Sequence, residues 1–173
     1  MKKGYALLFV IPIVLMTLWG CQSVSHGAAP SNGAPKTSVP LRSKPSPYKS
    51  TLLDHYQDAD YNVKLTLRQE ASTDLSLVIT NSGKKGVGCG VKYTVEKWVN
   101  RQWYSLPFKP NVAFIELAVL LLPGKTYDQK VDFQLLDEKL APGKYRVVKT
   151  LSPHIVLAKP FAINKEGMID VSD

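Results

Sequence analysis

The stretch "LLPGKTYDQKVDF", residues 121–133, decides the fold class, because apolar and polar side chains alternate after its Pro-Gly turn. A period of two places successive side chains on opposite faces of the chain and predicts a half-buried β-strand. The apolar members of one face are Tyr127, Val131, Phe133 and Leu135.

The triplet Gly124-Lys125-Thr126 within this stretch is shared with phosphate-binding loops. Such a loop also needs an earlier glycine, where this chain has Val119, and a helix whose N-terminus faces the phosphate. Neither requirement is met, so the sequence predicts the opening of a strand and no nucleotide site.

The same alternation recurs on both sides of this strand. A second Pro-Gly-Lys turn opens "LAPGKYRVVK", residues 140–149, and similar patterns cover residues 61–69, 73–83, 91–108 and 154–164. About seven or eight short strands with frequent turn signals, and no long amphipathic helix, predict an all-β antiparallel sandwich.

Nine of the ten residues 113–122 are apolar, interrupted by Glu116. This run predicts either a strand buried on both faces or a short buried helix.

The N-terminus has the features of an export signal. Two lysines precede an apolar run, residues 6–19, that is short for a membrane span and contains Pro12. The residues Leu18, Gly20 and Cys21 then resemble the lipobox of bacterial lipoproteins, although Trp19 departs from it. The resemblance implies a signal peptide over residues 1–20, lipidation of Cys21 and a lipid anchor in the cell membrane, on its extracytoplasmic face. Cleavage near residues 26–29 and an uncleaved anchor are the alternatives.

A linker follows the signal. Of residues 22–50, 14 of 29 are Pro, Gly or Ser, and such a composition predicts an extended, mobile tether. Residues 51–60 are transitional and fit either a short helical turn or the lead-in to the first strand. The predicted domains are therefore the signal over residues 1–20, the lipidated tether over 21–60 and the sandwich over 61–173.

Composition narrows the classes of partner. The chain carries 22 Lys and Arg against 14 Asp and Glu, a net charge of +8 that fits weak attraction to anionic lipids or wall polymers. The sequence has no basic cluster with interleaved aromatic residues, which is the pattern that would indicate nucleic-acid binding. No histidine pair or Cys-x-x-Cys has the spacing of metal ligands, so neither a metal nor another cofactor is predicted.

The ordered set of segments is similar to the bacterial immunoglobulin-like domains of short exported lipoproteins of Gram-positive bacteria. The similarity lies in "LSLVITNSG", "VEKWVNRQWYSLPF", "LLPGKTYDQKVDF" and "LAPGKYRVVK", and it extends over about residues 61–163. It implies an immunoglobulin-like sandwich and export, but no reaction. Tyr145 corresponds to the tyrosine corner, whose hydroxyl bonds upstream backbone. The glycine-rich loop at residues 84–91, with Cys89, departs from the family.

Aromatic residues on one predicted hairpin are the candidate binding residues: Trp98, Trp103 and Tyr104. Because adjacent residues on a strand face opposite ways, either Trp103 or Tyr104 faces away from the core and offers an anchor for a protein or sugar. The alternative is that one indole belongs to the core and the other is shielded by Arg101 or the linker.

The sequence thus predicts a lipid-anchored, non-catalytic binding or structural module, with a wall polymer or an envelope protein as its partner. A protease inhibitor acting through an end loop is an alternative, because small bacterial proteinase inhibitors resemble the half of the chain between the two Pro-Gly-Lys turns. A thiol enzyme using Cys89 with His154 is the weakest alternative, since no third residue orients the pair.

Overall fold

The structure is a computed structural model that describes residues 39–40 and 42–171. The predicted signal peptide and Cys21 lie outside the described residues. The described residues belong to one compact unit. Among the described residues there is no helix long and apolar enough to cross a membrane.

The described residues form two antiparallel sheets. In chain order the strands are β1 (Lys44–Pro45), β2 (His55–Gln57), β3 (Asn62–Ala71), β4 (Asp74–Asn81), β5 (Val87–Gly90), β6 (Thr94–Val99), β7 (Gln102–Ser105), β8 (Ala118–Leu121), β9 (Thr126–Val131), β10 (Gly143–Ser152), β11 (Ile155–Ile163) and β12 (Ile169–Asp170). The first sheet has the order β1-β7-β6-β10-β11-β12, with β5 also on β10 and β8 on β5. The second sheet has the order β2-β3-β4-β9.

This architecture confirms the predicted antiparallel sandwich. The strands outnumber the predicted seven or eight partly because the short strands β1, β2 and β12 extend the sheet edges. Alternation along β3 and β4 buries the predicted side chains against those of β6, β10 and β11. The central members of this core are Val63, Leu65, Leu77, Ile79, Val95, Val147 and Leu157.

The strand after the first Pro-Gly-Lys turn is shorter than predicted. It ends at Val131, and a short 3₁₀ helix follows at Phe133–Leu135. The Asp132 side chain accepts a hydrogen bond from the Gln134 backbone N–H, which caps this turn and ends the strand. The prediction that the alternation continues to Leu135 is therefore wrong.

The end of the predicted tether packs on the sandwich. Strand β1 pairs with β7, and the Ser46 N–H donates to the Trp103 carbonyl oxygen at 2.9 Å. The chain then passes over β10 to β11, where the Ala158 N–H donates to the Leu53 carbonyl. We call residues 46–53 the strap. The prediction of a mobile tether up to Ser50 is wrong for this part, and the sandwich begins before Tyr61. Residues 51–60 are the lead-in to β3, through β2.

The strap covers a buried ion pair on the outer face of the first sheet. Arg146 is 2% exposed and Glu96 0% exposed, and the Arg146 Nε donates to Glu96 Oε2 at 2.7 Å. The Ser105 hydroxyl donates to the other carboxylate oxygen at 2.9 Å. The Arg146 Nη1 donates to the carbonyls of Lys49 and Ser50 at 3.1 and 3.2 Å. Each charge is therefore paired and hydrogen-bonded, as burial requires.

The second Pro-Gly-Lys turn leads into Tyr145, which is buried between the sheets. Its hydroxyl donates to the Ala141 carbonyl at 2.6 Å, which is the upstream hydrogen bond implied for a tyrosine corner. The ring stacks on Phe161 with centroids 5.5 Å apart. Burial raises the pKa of Tyr145 to about 12.

Replacing Arg146 tests the buried ion pair. Arg146→Ala leaves the Glu96 carboxylate buried without its counter-charge, and we expect the free energy of unfolding to fall by about 3–5 kcal/mol. Urea denaturation followed by circular dichroism measures this. The control is Arg68→Ala, which removes an arginine from solvent-exposed pairs with Glu70 and Asp128 and should have a much smaller effect. Equal losses in the two variants would contradict the assignment.

Tyr145→Phe tests the tyrosine corner. Loss of the hydrogen bond to Ala141 should lower the free energy of unfolding by about 1 kcal/mol at neutral pH. Because the folded-state pKa of Tyr145 is raised above its ordinary value, the stabilisation by the neutral phenol is complete below pH 10 and is lost as the pH rises toward 12. Wild-type stability should therefore decline more steeply than that of Tyr145→Phe between pH 10 and 12. Parallel declines would show that this phenol does not titrate as the burial requires.

Candidate binding surface

Five of the eight exposed large apolar side chains among the described residues lie on and beside β8. Their exposed fractions are Ile115 68%, Leu117 52%, Val119 39%, Leu120 64% and Leu122 52%. We call these five residues the apolar strip. The prediction that residues 113–122 form a strand buried on both faces, or a buried helix, is wrong. A short strand is present at Ala118–Leu121, but of its four residues only Leu121 is buried.

The strip is exposed because β8 lies at an edge. In the described part of the chain β8 pairs with β5 alone, with Val119 opposite Cys89 and Leu121 opposite Val87. Cys89 and Val87 face the core, so Val119 points toward the inner side of the first sheet. Leu120 points to the outer side and packs against Gly86. A Cβ added at Gly86 would lie only 3.0 Å from the Leu120 Cδ1. Strand β8 is therefore apolar on both faces.

An aromatic cluster fixes the start of the strip. The rings of Tyr93, Phe108 and Phe114 pack edge to face, with centroids 4.9 to 5.7 Å apart. The Tyr93 hydroxyl accepts the Asp132 N–H at 2.9 Å. A cleft next to the cluster is lined by Phe114, Leu117 and Lys92. This packing holds the segment before β8 in one place and leaves its apolar side chains outside.

The predicted hairpin residues are partly covered. Trp98 and Trp103 pair across β6 and β7 with ring centroids 5.0 Å apart, on the outer face of the first sheet. The Cζ of Arg146 lies 4.5 Å from the centroid of the Trp103 ring. Tyr104 faces the opposite side of the strand. All three aromatic residues are half-buried. Arg146 and the strap shield Trp103, and neither indole belongs to the core between the sheets. A binding role for the hairpin stays a prediction.

The hairpin turn follows from its backbone. Asn100 and Arg101 have φ values of 50° and 64°, so two consecutive residues adopt the left-handed conformation. Two such residues form the tight turn that matches the twist of paired strands. Strand β7 begins directly after this turn, at Gln102.

Sequence reasoning missed a buried lysine beside Cys89. Lys149 is fully buried, and its Nζ donates to the Gly90 carbonyl and to Gln129 Oε1, the latter at 2.9 Å. Burial lowers the pKa of Lys149. The signal was available, because Lys149 shares the inward register of Tyr145 and Val147 on β10.

The surroundings of Cys89 oppose thiol chemistry. Cys89 is fully buried, and burial raises the pKa of its thiol more than the charge of Lys149 lowers it. Since the thiolate is the nucleophile, a buried thiol with a raised pKa reacts slowly. His154 lies exposed in the turn between β10 and β11. Within the described residues, no three side chains of His, Cys, Asp or Glu are placed to bind a metal ion.

Comparison with known proteins agrees with the fold. The model of the bacterial Ig-like domain family matches residues 59–164, which is more than half of the chain. A search of curated proteins and a search of solved structures found no match. The match covers β3 to β11 and both Pro-Gly-Lys turns. The chain belongs to the family of bacterial Ig-like domains, and its sandwich is immunoglobulin-like as the sequence resemblance implied.

Proposed function

We propose that this chain is a lipoprotein of the extracytoplasmic face of the bacterial cell membrane, and that its Ig-like sandwich is a non-catalytic binding module at the cell envelope. Membership of the Ig-like family supports a binding or structural role. The observation that carries the binding role is the apolar strip, which a rigid sandwich presents to solvent.

The strip is unusual for the edge of a sheet. Natural edge strands are protected by charges, prolines or bulges, because an exposed apolar edge promotes aggregation. Between Leu117 and Leu122 this edge carries no charged residue and no proline. Contiguous exposed apolar surface is typical of interaction sites. We therefore assign binding to β8 in preference to the half-buried hairpin aromatics.

The N-terminal sequence supports the anchor. A basic start, a short apolar run and Gly20-Cys21 fit export followed by lipidation. About 20 residues then separate Cys21 from Arg42, whose side chain pairs with Asp137 on the sandwich at 3.0 Å. A flexible chain of this length spans about 25 Å. The binding module would thus act close to the membrane surface, at a high effective concentration toward other envelope components.

The non-catalytic role is supported by the chemistry of the buried groups. Cys89 and Lys149 are two potentially reactive side chains of the core, and both are fully buried. Lys149 is held by two acceptors, and the Cys89 thiol is kept protonated by burial. This arrangement favours a structural use of both residues.

Metabolic labelling tests the anchor. Cells that produce the full chain are grown with labelled palmitate, and we expect label on the wild type and none on Cys21→Ala, because Cys21 would carry the acyl chains. Cys89→Ser is the matched control and should keep the label. A wild-type chain without label would contradict the lipoprotein assignment, whatever the outcome for binding.

Retention on purified cell envelopes tests the binding role. The soluble fragment 22–173 contains the whole compact unit, and we expect envelopes to retain it. Leu117→Lys should weaken retention about tenfold by placing a charge in the strip, which corresponds to about 1.4 kcal/mol. Met168→Lys, at an exposed apolar residue away from the strip, should not weaken it. A loss confined to Trp103→Ala would assign binding to the hairpin instead.

A further inference from the structure

We infer that the pocket between the strap and the β6–β7 hairpin binds a sugar unit that carries an acidic group. The pocket is lined by Ser46, Tyr48 and Ser50 of the strap and by residues 100–103 of the hairpin, and its volume is about 330 Å³. Small-ligand sites have volumes of about 300–1,000 Å³. The strap lies outside the residues that the family model matches, so membership of the family does not imply this pocket. The pocket shares no residue with the apolar strip, and the inference therefore goes beyond the proposed function.

A buried arginine holds both walls of the pocket. On the hairpin side, the Arg146 Cζ lies 4.5 Å from the centroid of the Trp103 ring. On the strap side, the Arg146 Nη1 donates to the carbonyls of Lys49 and Ser50 at 3.1 and 3.2 Å. Because Arg146 is itself fixed by Glu96, the two walls keep their positions before a ligand binds. A preorganised site loses less conformational entropy on binding.

The hairpin turn carries a residue that its backbone does not favour. Two consecutive left-handed residues are best supplied by Asn-Gly, but here Asn100 is followed by Arg101, at φ 64°. A long side chain is uncommon in this conformation, and residues under backbone strain cluster at functional sites. A glycine would give the more stable turn, so the arginine is better explained by a ligand than by the fold.

The Arg101 guanidinium is free to meet a ligand. Arg101 is exposed and forms no ion pair within the described part of the chain. None of the residues that line the pocket is acidic. A guanidinium binds a carboxylate or a phosphate through two parallel N–H···O hydrogen bonds. The charge of the pocket therefore favours a ligand with an acidic group.

The other lining groups fit a sugar ring. Tyr48 and Trp103 contribute aromatic rings, whose negative faces attract the C–H groups of a sugar. Asn100, Gln102 and Ser50 contribute amide and hydroxyl groups that donate and accept hydrogen bonds, as sugar hydroxyls require. Aromatic surface together with uncharged polar groups distinguishes this pocket from a site for an anion alone.

An acidic peptide fits the pocket less well. Extended peptides bind at sheet edges by adding a strand, through main-chain hydrogen bonds. Beside the pocket the edge of β7 is already paired with β1, and the Trp103 carbonyl accepts the Ser46 N–H at 2.9 Å. A peptide would therefore find the backbone of this edge occupied.

Tryptophan fluorescence of the fragment 22–173 tests the inference. Trp98 and Trp103 are the only tryptophans of this fragment, and both lie on the hairpin, so the signal comes from the site itself. The acidic probes are a tetrasaccharide of alternating glucuronic acid and N-acetylglucosamine, and glucose 1-phosphate. We expect at least one of them to change the fluorescence saturably. No saturable change with either probe up to about 10 mM would overturn the inference.

Two matched probes separate the contributions of charge and sugar. A tetramer of N-acetylglucosamine lacks the acidic group and should bind about tenfold more weakly than the better acidic probe. Equal affinity would overturn the acidic contact. A tetraglutamate peptide carries the charge without the sugar and should also bind more weakly. If the peptide bound as tightly as the better acidic probe, the pocket would be a site for acidic chains in general, and the sugar would be overturned.

Variants of Arg101 test the acidic contact without loss of the fold. Arg101→Gly gives the turn its preferred residue, so we expect a higher melting temperature together with about tenfold weaker binding of the acidic probe. Arg101→Lys keeps the charge and should retain part of the affinity. Arg68→Gln is the control, because it removes a positive charge from exposed pairs on the second sheet and should leave the affinity unchanged. An Arg101→Gly variant that binds like the wild type would overturn the role of the guanidinium.

Two further variants separate this site from the apolar strip. Leu117→Lys should bind the acidic probe like the wild type, because Leu117 does not line the pocket. Tyr48→Ala removes an aromatic ring from the strap wall and should weaken the probe about tenfold. Weaker binding to Leu117→Lys, with binding to Tyr48→Ala unchanged, would overturn the assignment of the sugar to this pocket.

Discussion

The ion pair between Arg146 and Glu96 is the constraint on which the arrangement of the first sheet depends. Two opposite charges buried on the outer face are tolerable only when each is fully hydrogen-bonded. Glu96 on β6 meets this through Arg146 on β10 and Ser105 on β7. Arg146 needs further acceptors, and the strap supplies its carbonyls. The pair therefore joins three strands and the entry of the chain.

Much of the sandwich could be predicted because alternation records which side chains are buried. Val63, Leu65, Leu77 and Ile79 are in the core as their period of two indicates. The strap could not be predicted, because its contacts with Arg146 are two backbone carbonyls, which every residue has, and one serine hydroxyl at 3.4 Å. Its Pro and Ser content is typical of linkers, and composition does not show which carbonyls an arginine will use. Lys149 was missed for a different reason, because its position in the alternation of β10 already indicated an inward-facing side chain.

Residues 113–122 show the limit of the same reasoning at the candidate site. Their apolar pattern is that of a strand covered on both faces, and the chain forms a strand there. The described residues leave it at an edge with five large side chains exposed. A sequence pattern reports the surroundings in which a segment is stable, but it does not report which molecule provides them. The disagreement between pattern and burial is thus the feature that points to a partner.

The edge is useful for binding only if it is held rigidly, and a buried lysine contributes to that. Strand β8 depends on β5, and β5 is joined to β10 over only two residues, Leu151 and Ser152. Lys149 strengthens this junction by donating to Gly90 at the end of β5 and to Gln129 on β9 of the other sheet. Gln129 in turn donates to the Val91 carbonyl at 2.6 Å. Both sheets therefore hold the strand that carries β8. A preorganised edge loses less conformational entropy on binding than a loose one.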